Sequence, residues 1–154
     1  MITCRFALLA KGVTRDAETG AISIYSIIEE IQSAAFPFMF PEVSFFAYIL
    51  RQKDDPPVIN SDFTMRINDE KLVELPMKLD FSDKMANRVT VRIGGLGIPN
   101  PGLLRSELVA KDGSILAACD VNIGLMRKPP KVEVETAPQE PQPPPTTEPT
   151  QTGN

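Results

Sequence analysis

Apolar side chains recur at every second position along most of this chain, the period of half-buried β-strands rather than of helices. Ile2, Cys4, Phe6 and Leu8 share one face of a first strand, with Thr3 and Arg5 on the other. After the turn-rich RDAETG of residues 15–20, Ile22, Ile24, Ser26 and Ile28 alternate with Ser23 and Tyr25. The following IIEEIQSAA predicts one short helical turn and no long amphipathic helix. VSFFAYIL, residues 43–50, is apolar on both faces and predicts a central, covered strand that the DDPP of residues 54–57 closes. Val89, Val91 and Ile93 give a further strand, ending in the turn-like GGLGIPNPG of residues 94–102.

Two hairpins can be assigned a register, because a one-residue slip sends an apolar set to the wrong face. In the later one, Leu104, Ser106, Leu108 and Ala110 face inward beside Ile115, Ala117, Cys119, Val121 and Ile123. A four-residue loop, residues 111–114, opposes Ala110 with Ile115 and Leu108 with Ala117, using Gly113 for positive φ. Arg105 then faces Asp120 on the outer side, a structural ion pair rather than a catalytic one. In the earlier hairpin, Phe63, Met65 and Ile67 face Val73, Leu75, Met77, Leu79 and Phe81. Opposing Ile67 with Val73 and Met65 with Leu75 brings Arg66 to Glu74 and Asp62 to Lys78. Pro76, which lacks a ladder donor, marks an edge strand or a bulge.

Seven to eight short strands at regular spacing predict an all-β protein, an antiparallel sandwich of Greek-key type. GAISIYSIIEEI, AAFPFMFPEVSFFAYIL and IPNPGLLRSELVAKDGSIL together resemble a family of small bacterial β-sandwich proteins of unknown function. The resemblance covers most of residues 5–123 and implies a structural pattern, without catalytic residues to carry over.

Composition divides the chain in two. Residues 128–154 hold eight of the fifteen prolines and almost nothing apolar, so they are expected to form a disordered tail. Its PxxP spacings, at Pro138 to Pro141 and Pro141 to Pro144, are what such a composition produces by chance. Residues 1–127 remain as one sandwich domain, ample for a closed core. The net charge of −4 and the lack of a lysine or arginine run argue against nucleic acid. No stretch approaches the roughly 20 apolar residues of a membrane span, and the start lacks a signal-peptide pattern. A cytoplasmic protein is the resulting expectation.

Candidate chemistry is sparse. There is no histidine, which removes the commonest general base, the commonest zinc ligand and every histidine-activated nucleophile. GGLGIPNPG lacks the G-K-[ST] ending of a phosphate loop and leads into a strand. Asp54, Asp55, Asp80, Asp83 and Asp112 lie near strand ends, where calcium coordination competes with simple turn formation. Cys4 and Cys119 are placed like core residues. No cofactor, metal or catalytic residue is therefore expected.

Aromatic crowding is the remaining feature. Six of the ten aromatics, Phe36, Phe38, Phe40, Phe45, Phe46 and Tyr48, fall within thirteen residues. AAFPFMFPE has two prolines and no polar residue before Glu42, a poor interior strand. Either it folds over the end of the sandwich, or Phe36, Phe38, Met39 and Phe40 form a protein interface. The expected function is a non-enzymatic module for a protein partner or homo-oligomer. The alternative is a small-ligand or carbohydrate-binding sandwich.

Overall fold

A computed structural model describes residues 1–126. The strands are β1 (Thr3–Arg15), β2 (Ile22–Ile28), β3 (Glu30–Ser33), β4 (Phe38–Leu50), β5 (Val58–Ile67), β6 (Glu70–Asp80), β7 (Ala86–Ile98), β8 (Gly102–Ala110) and β9 (Ile115–Leu125). They form a four-stranded sheet, β2-β1-β4-β7, and a five-stranded sheet, β3-β9-β8-β5-β6. No helix occurs among the described residues, and the fold is the expected all-β sandwich with nine strands. The tail expected at 128–154, with its PxxP spacings, lies outside the described residues.

The inner faces of both sheets meet in one core. Val43, Phe45, Ala47 and Ile49 of β4 are buried, as are Phe63, Met65 and Ile67 of β5. The Phe45 and Phe63 rings lie 5.1 Å apart across the sheet interface. β4 sits between β1 and β7, the central position its two-faced apolarity requires. Its outer Phe46 is covered in part by Phe6, 5.7 Å away. Pro76 lies on β6, an edge strand, where a missing backbone donor costs least.

Strict alternation fails at five places, each for a local reason. In β1 the register against β4 shifts between Cys4 and Phe6, so Phe6 turns outward while Ala7 and Leu9 face the core. The expected helical turn after β2 is instead β3, which pairs in parallel with β9 from Glu30–Asn122 to Ser33–Leu125. β7 does not stop at Gly94: it runs on to Ile98, with Gly95 at φ +68°.

Hairpin registers account for the other two. β5 and β6 close through Asn68 and Asp69, with Ile67 opposite Glu70 and Met65 opposite Val73. Asn68 takes φ 50°, a conformation asparagine tolerates, so a tight turn replaces the longer expected loop. Arg66 therefore faces Lys71 and Asp62 faces Pro76, and the two expected charge pairs do not form. Leu75, expected inside, is exposed on the edge strand. In β8–β9, Leu108 opposes Ala117 and Arg105 opposes Asp120 as expected, but a bulge opposes Val109, not Ala110, with Ile115. Ile115 is thereby exposed and Leu116 buried beside Ala117.

Candidate functional site

The aromatic step is part of β4, and its placement follows from a shared change of face. Along β4 the buried positions run Val43, Phe45, Ala47 and Ile49, while Phe38 and Phe40 have the opposite parity. β7 does the same: Val89 and Val91 are buried, then Leu96 and Ile98. The two strands stay paired through the change, with Phe40 opposite Leu96 and Phe38 opposite Ile98. The β7 switch falls at Gly94 and Gly95, and Gly95 takes a positive φ of 68° that glycine adopts without strain.

Phe36, Phe38 and Phe40 are thus half-buried and packed against the core. Their rings stack edge-to-face in sequence, 5.5 Å from Phe36 to Phe38 and 6.4 Å from Phe38 to Phe40. Met39 points the other way and is 63% exposed. It pairs with Gly97 and lies against Gly95, while the Cβ position at Gly97 meets no atom. A single flexible apolar side chain stands beside bare backbone.

On the five-stranded sheet several charges pair, while Arg66 and Lys78 have no carboxylate within ion-pair distance among the described residues. Arg105 donates two 2.8 Å hydrogen bonds to Asp120, Lys111 reaches Asp62 at 2.6 Å, and Lys71 reaches Glu74 at 2.7 Å. The Arg105–Asp120 pair is the scaffold element its register implies.

The four-stranded sheet carries a cleft of about 970 Å³ on the other side of the molecule's strands. Its lining includes Arg15 from the end of β1 and Arg88, Thr90 and Arg92 from β7. Lys84, just before β7, and Tyr48 of β4 complete the polar part. Arg92 donates a 3.1 Å bond to the Val13 carbonyl and lies 3.6 Å from Glu42. Arg88 lies over the Tyr48 ring at 6.0 Å. Among the described residues, Arg15, Lys84 and Arg88 have no carboxylate within ion-pair distance. Sequence reasoning missed this site because its cations come from separate segments. The one available signal was Arg88, Thr90 and Arg92 at alternate positions on the polar face of β7.

Three of the five loop aspartates, Asp55, Asp80 and Asp112, are engaged by neighbouring groups. Asp112 accepts bonds from the Ser114 amide and hydroxyl, and Asp80 does the same for Ser82. Asp55 accepts from the Met1 ammonium and the Gln52 amide. Among the described residues, no three histidine, cysteine, aspartate or glutamate side chains come together as a metal group. Cys4 and Cys119 are free thiols, and burial raises the pKa of both. Among the described residues, no helix is long and apolar enough to cross a membrane.

Residues 5–123 match the model of a family of unknown function, DUF6941. No curated protein matches the chain.

Proposed function

For a chain that belongs to this family of unknown function, we propose that the sandwich is a non-enzymatic protein-contact module. The observation behind this reading is the Met39 corner. Phe36, Phe38 and Phe40 anchor the segment in the core and leave one large, adaptable side chain exposed beside glycine backbone. Methionine suits contact surfaces because it is unbranched and polarisable, and bare backbone lets a partner approach closely. The occupant is a protein partner or a second copy. The net charge of −4 and the free thiols favour a cytoplasmic setting without nucleic acid, membrane or cofactor.

Met39→Asp tests the reading. It should abolish concentration-dependent association in sedimentation, or capture of a purified partner, while the melting temperature holds. A wild-type chain that neither associates nor captures a partner would refute the proposal. A second reading, small-ligand or carbohydrate binding, draws on the cleft of about 970 Å³. It predicts a saturable rise in melting temperature with a sugar or metabolite.

A further inference from the structure

The cleft on the four-stranded sheet reverses the character of the molecule around it. The chain carries a net charge of −4, yet Arg15, Lys84, Arg88 and Arg92 all line this one opening. Glu42, beside Arg92, is the one carboxylate within 4 Å of any of these four among the described residues. On the opposite sheet Arg105, Lys111 and Lys71 each have a carboxylate at 2.8 Å or less. Arg66 and Lys78 of that sheet are unpaired too among the described residues, so what sets the cleft apart is convergence. Arg15, Lys84 and Arg88, none with a carboxylate partner among the described residues, line one opening, which points to a ligand that brings its own negative charge.

Spacing and lining narrow its chemistry. Arg88 and Arg92 are four residues apart on one strand, roughly 13 Å at about 3.3 Å per residue. Thr90 stands between them, and Val13, Ile22, Met85 and Ala86 supply the apolar part of the surrounding wall. A bare phosphate would satisfy one cation and leave the apolar walls wet. An extended peptide with carboxylates four residues apart spans the same distance and presents apolar side chains in between. Tyr48, under the Arg88 guanidinium, keeps that cation in place without neutralising it.

We propose that this cleft docks an extended acidic segment of a partner protein, carboxylates on Arg88 and Arg92 and apolar side chains against Val13 and Ile22. The inference rests on the protein-contact reading but uses a separate patch of the same sheet, whose lining excludes Met39, so Met39→Asp should leave it untouched. Binding by that variant separates a failure at the Met39 corner from a failure here.

The test uses the full chain and a fluorescein-labelled peptide with glutamate at every fourth position, valine midway between glutamates on the same face and serine elsewhere, with a glutamine-for-glutamate counterpart. The acidic peptide should give saturable anisotropy, weakened at least tenfold by about 0.5 M salt. Arg88→Gln combined with Arg92→Gln should weaken it by about tenfold or more with an unchanged melting temperature. Lys84→Gln, outside the strands, provides a second variant should the double one unfold, and a loss of several-fold is expected. Equal binding of the glutamine peptide, indifference to these variants, or no saturation would overturn the proposal. So would stronger displacement by inorganic phosphate or by a single-stranded oligonucleotide than by unlabelled acidic peptide.

Discussion

Gly12 is buried because the Tyr25 ring, on the neighbouring strand, lies across it: a Cβ there would come within 2.1 Å of the ring. Gly12→Ala should displace the exposed end of that ring at a cost of at most about 1 kcal/mol. In a Tyr25→Ala background most of that cost should vanish, and additive losses in denaturant titrations would show the contact to be irrelevant. Charged residues give a pH prediction. Asp120 is held below its ordinary pKa chiefly by the Arg105 hydrogen bond. Asp16, Asp55, Asp80 and Asp112 are lowered too, first by bonds from the Thr19 amide, the N-terminal ammonium, the Ser82 amide and the Ser114 hydroxyl. Folded pKa values below the unfolded ~3.9 mean stabilisation that is complete above that value and lost as pH falls through the folded ones. The melting temperature should be flat from neutral to about pH 5 and fall below about pH 4, with Asp120→Asn reducing the acid slope. A decline beginning near pH 6 would contradict this assignment. The buried thiols act at the other limit: their raised pKa values remove stability as pH climbs beyond about 8.5.

Strands depart from simple alternation where backbone chemistry permits it. The β4–β7 pair keeps its register while both strands change face, so one ladder lines the core with Phe45 and then caps it with Phe38 and Phe40. This ranks three truncations. Phe45→Ala, fully buried against Phe63, should cost ~3–5 kcal/mol. Phe38→Ala and Phe40→Ala, half-buried, should cost about 1–3 kcal/mol, since part of each ring already meets solvent. Chemical denaturation of the three variants measures the order directly. Equal losses would make the step as interior as β4 itself; negligible losses at Phe38 and Phe40 would return them to the surface. The β5–β6 hairpin shows the limit of reading an element from its apolar pattern. A slip of two residues preserves every facing, so alternation could not choose between the expected register and the observed one. Asn68 at positive φ chose the tighter turn, and Asp62 found Lys111 instead of Lys78.

For the whole molecule, among the described residues both sheets are closed against each other by side chains of β1, β2 and β4 to β9. Deletion after Arg127 should leave the melting curve unchanged, and a loss of several degrees would show that the remaining residues contribute to the domain. The sequence by itself determined the all-β class, the central place of β4 and the Arg105–Asp120 pair, and narrowed Pro76 to an edge strand or a bulge. Each rests on a period-two pattern or on a residue's fixed chemistry, which act locally. Tertiary structure decided the rest. The bulges that turned Phe6 and Ile115 outward insert a residue that no alternation registers. β3 joined β9 in parallel, a pairing of segments about ninety positions apart that no short window contains. The change of face at Gly94 and Gly95 sent three phenylalanines inward and left Met39 exposed. The cationic cleft is the clearest case, because Arg15, Lys84, Arg88 and Arg92 become neighbours only when β1 and β7 are laid into one sheet around β4.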